Sequence, residues 1–369
     1  GTSIPPLEYI TSNMPTGTSW SVTRTFSAGA TPPVSGAPLL PTPFVYEAGD
    51  WPAQDKHPPT NSSEVEEWLK ELDGWYIPDL SVTTGTCSGS PEAAANASER
   101  GWWTCGGYTR VTDITACPDK YTWGVSFDDG PGPYTQELID YLDEKDITVT
   151  FFVVGSRVIE RPSILVEEYM TGNEISVHTW SHPYLTTLST EEIVAELGWT
   201  RKAITEVLGV TPTTMRPPYG DIDDRVRAIS LAMGMVPIIW TRTSEGVSFD
   251  TNDWRIVSGE VTGEESYDTF ENILGNVTEL DTGFIVLEHD LWDQCVDIAI
   301  GYTLQSALNF DPQLTLKPIG NCTGKPETDM YLQSNTNTSF PYRNSTVTND
   351  TSGDGSSNST SSNSSSSSA

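Results

Sequence analysis

The sequence predicts an α/β fold: a parallel sheet closed as a distorted (β/α)7-type barrel, with an extended N-terminal arm and a disordered Ser/Thr-rich C-terminal tail. Three observations carry this. Short apolar, β-rich runs recur between Cys117 and Cys322, and such continuous runs suit strands buried on both faces. Helical patterns alternate with them over about seven units, as parallel strands require. The texture changes at both ends, dividing the chain into 1–116, 117–322 and 323–369.

The first part is rich in Pro, Gly, Ser and Thr, with aromatic islands at Trp20, Trp68, Trp75-Tyr76 and Trp102-Trp103. Isolated tryptophans of this kind serve as packing anchors, so the arm should lie on the barrel. Within the barrel the runs are Tyr121 to Phe127, Ile147 to Val154, Ile175 to Val177, Thr213 to Met215, Met235 to Trp240, Phe284 to Leu287 and Leu314 to Leu316. Between them, Gln136 to Leu142 places apolar residues at i, i+3 and i+4. Glu191 to Leu208 does the same behind the cap-like Ser189-Thr190-Glu191-Glu192. The last part is dominated by Ser, Thr, Asn and Gly and closes on Ser364 to Ser368 and Ala369. It cannot bury enough apolar surface to offset its ordering entropy.

Charge excludes some partners. Nineteen basic and 51 acidic residues leave a formal charge of −32, which disfavours nucleic acid and anionic membrane surfaces and suits a cationic polymer. N-x-Ser/Thr acceptors at Asn61, Asn96, Asn276, Asn321, Asn337, Asn344, Asn349, Asn358 and Asn363 point to secretion and heavy glycosylation. The start at Gly1, with no signal peptide and no membrane-length apolar span, reads as a processed chain. A small-residue end is also what remains after attachment of a glycolipid (GPI) anchor, which would hold the chain at the plasma membrane or cell wall. Five cysteines fit an oxidising compartment. Cys87 and Cys105 can pair locally. A Cys117–Cys322 bridge would tie the entrance of the first strand to the exit of the last, leaving Cys295 over. No CxxC occurs among them, so a zinc ribbon is excluded.

The chemistry lies in the polar residues that follow the strands. The chain has only four histidines: His57, His178, His182 and His289. In Asp128-Asp129-Gly130-Pro131 the turn residues present two carboxylates at a strand end. Adjacent like charges repel unless a cation divides their roles, one Asp ligating and the other acting as base. His178 and His182, four apart, are expected on one face of a helical turn where they can share a metal. Without Glu at the second position this is not a metalloprotease HExxH. Arg216, in Arg216-Pro217-Pro218-Tyr219, can hold a carboxylate through its planar fork. His57, in the Pro-rich arm, is expected to be a surface histidine.

These segments, with Asp250 to Trp254 and Leu287-Glu288-His289, resemble in order the five motifs of the NodB-type polysaccharide deacetylases, carbohydrate esterase family 4. The resemblance covers about Cys117 to Cys322. The flanks Trp103 to Gly107 and Cys117 to Lys120, with the acidic, sequon-dense tail, are similar to fungal chitin deacetylases of the basidiomycete cell-wall mannoprotein type. The resemblance implies Asp129, His178 and His182 as ligands of Zn²⁺, sometimes Co²⁺. It implies Asp128 as general base, His289 as general acid, Arg216 orienting Asp128 and Asp253 tethering Arg216. Trp254 would pack nearby, the Tyr219 N–H would stabilise an oxyanion, and Leu287 would line the acetyl pocket. Trp180, Tyr184 and Trp292 suit sugar-ring contacts. The implied activity is hydrolysis of the N-acetyl groups of chitin or chito-oligosaccharides by a monomer. Peptidoglycan, acetylated xylan or a non-catalytic wall glycoprotein are the alternatives.

Overall fold

The computed structural model describes residues 4–343. Each of the seven apolar runs supplies a strand segment: β1 (Thr122–Gly124) and β2 (Ser126–Asp128) from the first, then β3 (Thr150–Val153), β4 (Glu174–Val177), β5 (Thr214–Met215), β6 (Val236–Pro237), β7 (Phe284–Ile285) and β8 (Thr315–Lys317). All pairings are parallel, in the orders β7-β1-β8 and β2-β3-β4-β5-β6. The two sheets meet at Val125, which donates to Lys317 O (2.9 Å) and accepts from Thr150 N–H (2.9 Å). The other side of the ring is completed by single contacts: Thr241 N–H donates to Ile285 O (3.0 Å), and its Oγ1 accepts from Ile285 N–H (2.9 Å). No continuous ladder closes the barrel among the described residues, because β5, β6 and β7 are only two residues long.

Helices cover the outside. Thr190–Leu208 carries the expected capping box: Ser189 Oγ accepts from Glu192 N–H, and Glu192 reaches back to the Ser189 N–H. Thr135–Glu144 buries Leu138, Ile139 and Leu142, the i, i+1 and i+4 positions of one face, against the sheet. Inside, Trp123, Phe127, Phe151, Phe152, Ile175 and Met215 are buried.

Both expected disulfides are present, Cys87–Cys105 and Cys117–Cys322, while Cys295 is free and buried. Because Cys117–Cys322 closes a loop of 205 residues, it removes much unfolded-state entropy. Cys322→Ser should cost about 2–5 kcal/mol, read as a lower urea midpoint.

The N-terminal segment lies on the barrel through its aromatics: Trp68 packs edge-on against Trp199, and Trp103 against Trp240. At the other end, the boundary expected at 322 needs correction. Residues 323–343 are packed rather than tail-like: Tyr331 bridges Pro212 in antiparallel fashion, its hydroxyl accepts from Ile175 N–H (2.8 Å), and Met330, Tyr331 and Phe340 are buried. These apolar residues are what the Ser/Asn-rich surroundings concealed. The sequons at Asn344, Asn349, Asn358 and Asn363, and the tail that carries them, lie outside the described residues. Asn61, Asn96 and Asn321 are exposed, whereas Asn337 is half-buried with Nδ2 donating to Asp329 (2.8 Å), a bond a glycan would displace. No helix among the described residues is long and apolar enough to cross a membrane.

The formal charge overstates the ionised charge at neutral pH. Burial pushes the Glu174 and Asp290 carboxyls up to about 7 and Glu288 to about 8, and raises Glu168 well above the carboxylate range.

Candidate active site

The strand ends converge as the barrel predicts. Asp128 ends β2, where its N–H donates to Glu288 O (3.0 Å) and its carbonyl accepts from Asp290 N–H (3.1 Å), tying β2 to the segment after β7. Asp129 follows with left-handed backbone (φ 83°), which turns its carboxylate toward β4. His178 follows β4. Its Nδ1 donates to Arg216 O (2.8 Å), which leaves the Nε2 lone pair free for a ligand.

His178 and His182 do not share a helical turn, contrary to the expectation from their spacing. The segment is an irregular loop in which Thr179 (φ 66°) and His182 (φ 61°) are both left-handed, and this reversal brings the rings to 5.0 Å. Asp129 Oδ1 lies 3.0 Å from His182 Nε2 and 3.4 Å from His178 Nε2, yet it has no hydrogen-bond partner. The three residues each offer one ligand atom, and these atoms lie within 4.8 Å of one another. Burial opposes ionisation of Asp129, but the imidazoles of His182 and His178 hold its carboxyl well below the usual range. One carboxylate and two imidazoles with an orphaned buried oxygen fit a divalent cation.

Two charged pairs flank the triad. Arg216, fully buried, places Nη1 2.6 Å from Asp128 Oδ1 and 2.9 Å from Ser126 Oγ, with its guanidinium 4.0 Å above the Phe152 ring. Asp128 Oδ2 faces His178 Nε2 at 3.8 Å. The second pair corrects the expectation for Asp253. It does not tether Arg216; it grips His289, accepting from the ring Nδ1 (2.7 Å) and the backbone N–H (2.8 Å). Burial would lower the His289 pKa, but the Asp253 charge and hydrogen bond, with Asp129 and Asp128 nearby, raise it to about 10.

The aromatics divide differently from expectation. Trp180 is fully buried, stacked on Trp51 (6.2 Å) with Nε1 donating to Ala53 O (3.0 Å), so it is an anchor for the arm and cannot touch a sugar. Tyr219 and Trp292 are exposed. Tyr219 stacks on Tyr184 at 3.9 Å and meets His182 edge-on at 4.7 Å. Its left-handed backbone (φ 60°) precedes Gly220 (φ 67°), where a Cβ would sit 2.5 Å from the Trp103 ring. Leu287 is buried beside His289, and Trp254 is half-buried under Arg255. His57 is on the surface as expected, but it is not without a partner: Nδ1 donates to the buried Glu196 (2.9 Å). Ser126, Tyr184 and Glu196 complete these contacts. Tyr184 was expected at the sugar face, whereas Glu196 was missed; its one signal is a carboxylate on the apolar face of a helix.

A family model for polysaccharide deacetylases matches residues 115–238. The chain is 57% identical over 341 residues to chitin deacetylase 1 of Cryptococcus neoformans var. grubii, covering 91% of this chain and 72% of that protein. The chain belongs to the polysaccharide deacetylase family. It is also 34% identical to a chitin deacetylase of Amylomyces rouxii, across 67% of this chain and 61% of that protein. Among solved structures, the chitin deacetylase of Colletotrichum lindemuthianum matches with a TM-score of 0.53 and 26% identity, covering 60% of this chain and 95% of that one. That structure covers the parallel-stranded part, while the Cryptococcus relative shares most of the remaining length as well.

Proposed function

We infer that this polysaccharide deacetylase hydrolyses the N-acetyl groups of chitin, giving chitosan and acetate. The reading is supported by its 57% identity to a fungal chitin deacetylase. The observation that carries the chemistry is the pair of opposed, separately held groups beside one triad: Asp128 fixed by Arg216, and His289 fixed by Asp253. One offers a carboxylate to take a proton, and the other is an imidazole whose pKa the Asp253 charge raises to about 10, so base and acid are both at hand, as amide hydrolysis requires.

Asp129, His178 and His182 would hold the cation, Zn²⁺ by donor type with Co²⁺ as the alternative. Bound there, it supplies Lewis acidity toward the acetyl carbonyl and makes water more acidic. Asp128 takes the proton of the attacking water. Arg216 occupies Oδ1, so Oδ2, the oxygen nearer the triad, is the basic one. The Tyr219 N–H donates to the carbonyl oxygen as it gains charge. His289, protonated at neutral pH, gives its proton to the amide nitrogen as the C–N bond breaks. Leu287 would line the space for the acetyl methyl. Exposed Tyr219, stacked on half-buried Tyr184, and exposed Trp292 offer faces for the sugar rings, the place Trp180 does not fill.

We further propose a monomeric, secreted glycoprotein of the cell wall or plasma membrane, held by a GPI anchor. Its disulfides and exposed sequons suit that setting. Its acidic surface would retain the polycationic product at low salt. The test of substrate is acetate release from matched chito-oligosaccharides, peptidoglycan fragments and acetylated xylan. Faster turnover of the first is expected, and preference for either other polymer overturns the chitin assignment.

A further inference from the structure

The histidine loop is built on costly backbone. Thr179, β-branched, and His182 both sit in the left-handed region that non-glycine residues avoid, so something outside the loop must hold them there. The holder is Glu196, buried on the helix Thr190–Leu208. Its Oε2 accepts from the N–H groups of Trp180 and Ser181 (2.9 Å each), and its Oε1 from Ser181 Oγ (2.6 Å). The remaining bond to Oε1 comes from His57 in the N-terminal arm (2.9 Å).

The same stretch of arm makes four further contacts. Trp51 stacks on Trp180 with planes 3° apart, and Ala53 O accepts from Trp180 Nε1. Asp55 Oδ1 lies 3.5 Å from Arg157 Nη2, and its N–H donates to Ser156 Oγ (3.3 Å). Arg157 in turn donates through Nη1 to Asp129 O (2.8 Å). A seven-residue segment therefore touches the partners of both ligand-bearing loops: Trp180 between the two histidines, Glu196 that holds their loop, and Arg157 that donates to Asp129 O.

We propose that Trp51 to His57 is a strap that holds the Asp129 turn and the His178–His182 loop in metal-binding register, with His57–Glu196 as its clasp. The inference rests on the metal site proposed above and makes His57 a positioning residue. Half of its side chain (54%) is in solvent, so its removal leaves no cavity and separates positioning from folding.

The test is Zn²⁺ affinity of the full chain, measured by competition with a chromophoric chelator, beside the melting temperature of the metal-free protein. His57→Ala is expected to weaken Zn²⁺ binding about tenfold, the range of groups that orient ligands, with little change in melting. His57→Gln, whose amide can still donate to Glu196, should recover most of the loss. If His57→Ala binds Zn²⁺ as tightly as the parent, the strap is wrong and the metal site stands. If the parent itself binds no Zn²⁺, the metal site is wrong and the strap falls with it.

Discussion

Asp128→Asn is expected to keep its metal and lose about 10²–10⁴-fold in kcat, whereas His178→Ala loses both metal and turnover. The two carboxylates are adjacent in sequence but serve different partners. Asp129 Oδ1 faces the two imidazoles, and Asp128 Oδ1 is occupied by Arg216. An amide at 128 preserves shape and still accepts from Arg216, but it cannot take a proton from water. It also leaves the fully buried Arg216 without its ionised partner, so some stability is lost; breaking a buried pair costs about 3–5 kcal/mol. Metal content and melting temperature of each variant, measured beside kcat, separate the roles. Metal loss in Asp128→Asn would place both aspartates in the ligand set.

Asp253→Asn should move the alkaline limb of the rate profile to lower pH and so lower kcat on the alkaline side of neutrality. The acid must be protonated when the amide nitrogen leaves. Burial disfavours the imidazolium, and the Asp253 charge and hydrogen bond raise the His289 pKa to about 10, so the protonated fraction falls only as pH rises through that value. Without the carboxylate, burial acts with less opposition, and a change of about 1–3 pKa units is expected. The limb shifts downward by that amount. Asp250→Asn, three residues earlier, removes a carboxylate that accepts from the Asn252 N–H and meets His289 only through space, so it should move the limb less. Equal shifts in the two variants would remove Asp253 from its assigned role.

What could be read from the sequence depended on distance along the chain. Asp128-Asp129 and His178/His182 are local, and chain polarity alone puts them at strand ends. The strand runs were legible because parallel strands buried on both faces must be continuously apolar. The Asp253–His289 pairing was not legible: the two are 36 residues apart, and the Asp250 to Trp254 segment carries two aspartates. Trp180 was misread because a tryptophan beside a site and one beneath it have the same local sequence; only burial against Trp51 and Trp199 tells them apart. The Glu196–His57 contact spans 139 residues and joins the arm to a helix, so no local pattern encodes it. The packed segment before the tail was hidden by its polar composition, although Tyr331 and Phe340 were its anchors.

The most direct test of the account is acetate release from chito-oligosaccharides by the parent chain, before chelation, after chelation and after Zn²⁺ is returned. Release is expected to be lost on stripping and restored by Zn²⁺. Release that survives stripping, or none under any condition, would contradict it.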